Sequence, residues 1–216
     1  MKKQLLIFID RDGTILYDKK KSPRYYLGRQ KDWKEKTKFL NGVVRGLKLL
    51  KKEVPKAKIY LISNQPGIAI KDFPLLTRER THEVFRYVLK KLFSFGIKID
   101  GYEFCGKAPP KYVKFRSEFS FDKKLVSNFD CIKPKPGMIK SVLKREKLNL
   151  KNTKIYVIGD RASDVETAHN VKGFGILVPF VNQPGQNAKV KKLKNKKKYI
   201  AKNFLEAAKF IVKREK

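Results

Sequence analysis

Leu5-Leu6-Ile7-Phe8-Ile9-Asp10-Arg11-Asp12-Gly13-Thr14 is an unbroken apolar run followed by a polar turn that carries two carboxylates two positions apart. A short continuous apolar run that stops at such a turn reads as a strand buried on both faces. Residues 58–62 (Lys-Ile-Tyr-Leu-Ile), 154–158 (Lys-Ile-Tyr-Val-Ile) and 175–178 (Gly-Ile-Leu-Val) repeat the pattern. Between these runs the apolar spacing turns helical. Residues 42–52 place Val43, Val44, Leu47 and Leu50 on one face, and 77–95 opens on Thr77 as N-cap and carries Val84, Phe85, Val88, Leu89 and Leu92. A third helix pattern spans 136–147 with Pro136 in its first turn, and a fourth runs from Asn203 with Leu205, Ala208, Ile211 and Val212. Strands alternating with amphipathic helices predict an α/β fold: a doubly wound parallel sheet with helices on both faces. Residues 1–216 read as one domain. Two stretches depart from the alternation: a basic, aromatic loop at 106–131 and a Lys-rich segment at 189–198, which reads as a solvated surface run.

Lys and Arg number 53 against 20 Asp and Glu, a formal charge of +33. An anionic partner or substrate is the first expectation from that excess. Lys outnumbers Arg by 42 to 11, however, and Arg is the residue suited to planar, bidentate contacts with phosphate. A polyanion-binding surface and a solvated Lys-rich exterior are therefore both open readings. No stretch approaches the ~20 apolar residues of a membrane span. The first apolar run ends in acids rather than at a small-residue cleavage site, so neither a span nor a secretory leader is expected. Cys105 and Cys131 are too few for a disulfide framework. They predict a reducing, cytoplasmic setting in which both pack as small apolar residues.

In an open parallel sheet, ligands bind beyond the carboxyl ends of the strands. Asp10 and Asp12 should face that crevice, and Gly13 lets the chain turn so that a carboxylate and a main-chain carbonyl meet one metal ion. Three more polar clusters stand where the same crevice needs them. Ser63-Asn64-Gln65 follows the second strand, Lys133-Pro134-Lys135-Pro136-Gly137 leads into the third helix pattern, and Gly159-Asp160-Arg161-Ala162-Ser163-Asp164 follows the strand at 154–158.

In this order the four clusters resemble the haloacid dehalogenase (HAD) superfamily of phosphohydrolases, whose motifs are a DxDG[TV] strand end, a Ser or Thr, a Lys and a GD…D acidic turn. The resemblance covers residues 4–181. It implies a Rossmann-like, capless fold and Mg²⁺-dependent hydrolysis of a phosphate ester through an aspartyl-phosphate. Asp10 is then the nucleophile, and Mg²⁺ is held by Asp10, Asp160 and the carbonyl of Asp12. Lys133 and Ser63 donate to the phosphoryl oxygens. Asp12 protonates the leaving oxygen and later takes a proton from water, which calls for a raised pKa. Asp164 orients Lys133 or a water on the metal.

Within the superfamily the chain resembles the capless branch of heptose-bisphosphate and histidinol-phosphate phosphatases. The matching residues are Asp10-Arg11-Asp12-Gly13-Thr14-Ile15, Ser63-Asn64-Gln65-Pro66-Gly67-Ile68, Cys131-Ile132-Lys133-Pro134-Lys135-Pro136-Gly137-Met138 and Gly159-Asp160-Arg161. This branch implies a monomer acting on a small sugar phosphate, with removal of the 7-phosphate of D-glycero-D-manno-heptose-1,7-bisphosphate as the leading reaction. Histidinol phosphate, or a nucleic-acid 3′-phosphate given the charge, is the alternative. Arg11, Asn64, Gln65, Lys135 and Arg161 are the expected substrate-binding residues.

Two departures qualify the match. The branch's zinc loop uses four Cys or His ligands, of which only Cys105 and Cys131 remain, so zinc is not expected. Ile132 stands where the heptose enzymes carry an Arg for the remote phosphate; Arg161, Lys135 or the basic loop (Lys107, Lys111, Lys114, Arg116) would have to compensate. His82 and His169 read as ordinary helix residues.

Overall fold

β1 (Gln4–Asp10) is followed by a small antiparallel hairpin of β2 (Leu16–Asp18) and β3 (Thr37–Phe39), with the short α1 (Trp33–Lys36) between them. The chain then alternates: α2 (Val43–Glu53), β4 (Lys58–Asn64), α3 (Arg78–Phe93), β5 (Gly101–Cys105), α4 (Pro110–Phe115), α5 (Gly137–Arg145), β6 (Thr153–Gly159), α6 (Ala162–Asn170), β7 (Phe174–Leu177), α7 (Gln186–Lys192), β8 (Lys198–Ile200) and α8 (Phe204–Glu215). This computed structural model describes residues 3–18 and 26–216. Among them, six strands form one sheet in the order β5-β4-β1-β6-β7-β8, every neighbouring pair parallel.

The predicted runs at 5–9, 58–62, 154–158 and 175–178 are β1, β4, β6 and β7, the inner strands of that sheet. Period-two alternation sorts their side chains to two faces. Ile7, Ile9, Ile59, Leu61, Tyr156 and Ile158 meet Leu47, Val84, Phe85, Phe204 and Ile211 of α2, α3 and α8 on one face. Leu6, Phe8, Tyr60, Ile62, Ile155 and Val157 meet Met138, Ile139 and Val142 of α5 on the other. Each large aliphatic or aromatic side chain buried this way contributes about 1.5–3 kcal/mol. Because both faces are covered, the strands read as continuous apolar runs.

The edge strands escaped the sequence reading. β5 has only two buried residues, Phe104 and Cys105, and β8 is cut from the Lys-rich segment with none fully buried. That segment is not merely a solvated run: Val190 of α7 is buried against Ala162, Val165 and Leu177, with Leu193 packed alongside. The 106–131 stretch likewise carries α4 and a 3₁₀ turn at Lys123–Leu125. It is fastened by backbone bonds Lys71 N to Ser120 O and Asp122 N to Ala69 O, both 2.9 Å. Aromatic contacts add to this, with Phe73 against Phe119 at 4.9 Å and Tyr112 against Phe121 at 6.2 Å between ring centroids.

The expectation of two free cysteines is corrected. Cys105 and Cys131 are joined by a disulfide. β5 pairs beside β4 so that Cys105 lies opposite Asn64, and the segment entering α5 returns to that strand end. Separation along the chain gave no sign of this juxtaposition.

Candidate functional site

The carboxyl ends of β1, β4 and β6 deliver the predicted clusters to one place. Asp10 closes β1. The chain then reverses through Gly13 at φ +85°, a backbone region favouring glycine, and Gly13 N donates to Leu16 O at 2.8 Å. A Cβ on Gly13 would also stand 2.5 Å from Oδ2 of Asp160, so the turn folds directly onto the end of β6.

Lys133 is the hub. It is buried, and its ammonium donates to Asp10 Oδ1 at 2.5 Å and Asp164 Oδ1 at 2.6 Å. Asn64 fixes the main chain around it, accepting from Lys133 N at 3.0 Å and donating to Lys133 O at 3.3 Å. Asp164 serves two neighbours, since its Oδ2 also accepts from Arg161 N at 3.1 Å at the start of α6. Burial pushes the Lys133 ammonium towards losing its proton, but the charges of Asp10 and Asp164 more than reverse this and keep it protonated.

The carboxylates are under-compensated. Burial raises the Asp10 pKa, and Lys133 offsets this only in part, leaving it at about 6. Burial and repulsion from Asp10 and Asp164 push Asp160 well above the ordinary range. Asp160 is buried, and its Oδ1 has no hydrogen-bond partner among the described residues. An orphaned oxygen in a cluster of acids is a site short of positive charge.

Asp12 corrects an expectation. Burial pushes its pKa up, but the Arg11 charge and hydrogen bonds from Arg11 and Gln65 outweigh it and hold the carboxyl below its usual value. Its side chain keeps 33% of its surface exposed. Gln65 Nε2 lies 2.8 Å from both Asp12 Oδ2 and Ser63 Oγ, tying the β4 end to the β1 turn.

A cavity of about 600 Å³ opens over this cluster. Asp10, Asp12, Ser63, Asn64, Gln65, Lys133 and Arg161 all border it. Two expected substrate-binding residues do not. Arg11 is fully buried, with its guanidinium turned to Asp12 and stacked 4.6 Å over the Phe85 ring. Lys135 turns away and donates to Asn128 O. The sequence reading also missed Tyr26, Tyr112, Asn182 and Gln183, which line the cavity together with Ile132. The aromatic content of 106–131 signalled Tyr112; nothing in the sequence signalled Asn182 or Gln183. His82 bonds Tyr102 Oη at 2.9 Å and His169 bonds Lys197 O at 3.1 Å, both away from the cavity.

These features agree with the similarities of the whole chain. The HAD-hydrolase-like family model matches residues 130–207. The D-glycero-beta-D-manno-heptose-1,7-bisphosphate 7-phosphatase of Helicobacter pylori is 31% identical over 172 residues, covering 77% of this chain and 78% of that protein. The histidine biosynthesis bifunctional protein HisB of Blochmanniella floridana is 31% identical over 171 residues; the match takes in 79% of this chain and only 40% of that longer protein. Among solved structures, the D,D-heptose 1,7-bisphosphate phosphatase of B. bronchiseptica, crystallised with magnesium and phosphate, superposes with a TM-score of 0.72 at 18% identity over 99% of both chains. The chain belongs to the HAD-like hydrolases.

Proposed function

We propose that the protein is a Mg²⁺-dependent phosphomonoester hydrolase working through an aspartyl-phosphate on Asp10, with a sugar bisphosphate of the D-glycero-D-manno-heptose-1,7-bisphosphate kind as substrate. The observation that carries the reading is one buried ammonium, Lys133, shared by Asp10 and Asp164 beside the unpartnered carboxylate of Asp160. The relative from H. pylori supports the choice of substrate.

The donor set fits a small hard cation. Carboxylate and carbonyl oxygens are the ligands a hard divalent ion takes, and the buried Asp160 carboxylate has an oxygen with no hydrogen-bond partner among the described residues. Asp10, Asp160 and the main-chain carbonyl of Asp12 would hold it. Bound there, Mg²⁺ supplies the positive charge that lets a doubly negative phosphate approach a carboxylate.

Asp10 attacks phosphorus, and the bond from phosphorus to the ester oxygen breaks. Lys133, held by Asp164, and Ser63, held by Gln65, donate to the phosphoryl oxygens as charge builds. Asp12 gives a proton to the leaving oxygen. It then takes one from the water that attacks the aspartyl-phosphate, which frees inorganic phosphate and restores the Asp10 carboxylate. Asp12 is ionised in the unliganded protein because of Arg11. The negative charge of an arriving phosphate raises its proton affinity, so the acid is charged with its proton as substrate binds.

The test is phosphate release, with and without Mg²⁺, across both anomers of heptose-1,7-bisphosphate, fructose-1,6-bisphosphate, histidinol phosphate and a 3′-phosphorylated oligonucleotide. A preference of about a hundredfold for a heptose anomer, worth ~2.7 kcal/mol, is expected. Preference for the oligonucleotide or for histidinol phosphate would overturn the substrate, and Mg²⁺-independent release would overturn the chemistry.

A further inference from the structure

The formal charge of +33 far exceeds what borders the cavity. Helices α2, α3 and α8 cover one face of the sheet and run back against its parallel strands. Their C-termini and the strand N-termini therefore share one end of the molecule, opposite the reacting cluster. Ion pairs tie that end together. Lys216 after α8 pairs with Glu53 of α2 at 2.7 Å, Lys51 of α2 pairs with Asp100 ahead of β5 at 2.9 Å, and Lys154 near the start of β6 pairs with Glu215 at 2.7 Å. Lys58 at the start of β4 pairs with Glu146.

These pairs take up Glu53, Asp100, Glu146 and Glu215. Lys52, Lys56, Lys90, Lys98 and Lys213 are left exposed at the same end, with no ion pair among the described residues. A cation in the last turn of a helix complements the helix dipole, which accounts for Lys52, Lys90 and Lys213. It does not account for Lys56 and Lys98, which lie beyond their helices, nor for the apolar surface among them. Phe93 is 69% exposed and Phe95 43% exposed where the chain leaves α3. Beside Phe93 a shallow hollow of about 250 Å³ is lined by Leu89, Ile97 and Ile99 together with Lys90 and Lys98.

Phenyl rings standing in water among unpaired lysines make a surface suited to the headgroup layer of an anionic bilayer, where the rings reach the acyl boundary and the ammoniums stay among the phosphates. Duplex nucleic acid is the other polyanion such charge would attract. It offers the two rings no apolar layer, and all five unpaired cations are lysines, which lack the planar fork of arginine.

We propose that this end of the molecule docks on a membrane surface rich in anionic lipid headgroups, with Phe93 and Phe95 entering the interface and the cavity facing away from it. The proposal is independent of the phosphatase reading.

The experiment is sedimentation of the full chain with vesicles of phosphatidylcholine alone and of an equal mixture with phosphatidylglycerol, at about 0.1 M salt. Wild type is expected to partition at least about thirtyfold more strongly to the mixed vesicles. Lys90→Glu with Lys98→Glu should lower that partition about thirtyfold, and Phe93→Ser should lower it severalfold. Lys111→Glu with Lys114→Glu, the same change of net charge placed on α4 beside the cavity, should lower it less than about threefold. Should the Lys90 and Lys98 variant fail to fold by circular dichroism, Lys56→Glu with Lys213→Glu takes its place with the same expectation. Equal partition to neutral and anionic vesicles, or equal losses from the two ends of the molecule, would overturn the proposal. Failure of wild type to sediment with either vesicle would overturn it too, and retention of a duplex oligonucleotide in that case would assign the face to nucleic acid.

Discussion

Arg11 and Asp12 are neighbours in sequence that form a two-point ion pair across the surface of the fold: Nε and Nη2 of the fully buried arginine donate to the two oxygens of the half-exposed aspartate at 2.9 and 2.8 Å. The arginine faces inward onto Phe85 and the aspartate faces the cavity. Arg11 therefore fixes the orientation and the charge of Asp12 without touching substrate. Arg11→Met should leave Asp12 held by Gln65 alone and cost roughly 1–2 kcal/mol in urea denaturation, less than breaking a fully buried pair because the Asp12 side chain is 33% exposed. Arg11→Lys should recover little of the lost activity, because a point charge does not reproduce the fork. A lysine variant with wild-type turnover would contradict this role.

Asp160→Asn should move stability and activity in opposite directions. The buried carboxylate is repelled by Asp10 and Asp164 and leaves one oxygen without a partner among the described residues. Removing its charge should raise the melting temperature measured in chelator, while Mg²⁺-dependent turnover falls by about a hundredfold or more. A variant destabilised in chelator would show that Asp160 is already satisfied.

The response to Mg²⁺ should grow with pH. Burial pushes the Asp10 carboxyl up to about 6 from its ordinary value of 3.8. A raised carboxylate contributes stability that is full below the unfolded value and is lost as pH rises through the folded one. Asp160 shifts the same way. Cation binding needs both groups ionised, so saturating Mg²⁺ should raise the melting temperature little at about pH 5 and by several degrees at about pH 7.5. A larger shift at the lower pH would contradict the assignment of these two carboxylates to the cation.

Gly13→Ala tests the turn itself. The residue sits at φ +85°, and a methyl group would stand against the Asp160 carboxylate. The expected cost is ~1–3 kcal/mol of stability together with a loss of Mg²⁺ affinity, read by calorimetry. An alanine variant with unchanged Mg²⁺ affinity would separate the turn from the cation site.

The inner sheet and its flanking helices were legible because burial on both faces forces continuous apolar runs, as in β1 and β6, and because α3 carries an unambiguous apolar stripe. The edge strands were not: Lys198-Tyr199-Ile200 is only half-buried and emerges from a run of lysines, so its pairing with β7 left no periodic trace. The site's residues were legible as clusters, since three of them follow a strand end and the fourth leads into α5. Their division of labour was not. Arg11 and Lys135 read as ligand contacts from their place in the motifs, yet one faces the core and the other Asn128. The depressed proton affinity of Asp12 depends on that inward turn of Arg11, which spacing cannot reveal. The Cys105–Cys131 bond likewise follows from strand order, not from composition.

The central claim is a phosphoryl group carried on Asp10. Acid-quenching the protein during turnover of a phosphate ester with Mg²⁺, then mapping its peptides by mass, should find one added phosphoryl group on the peptide holding Asp10 and none in Asp10→Asn. Steady turnover with no phosphorylated enzyme, or with the group on another residue, would contradict the mechanism.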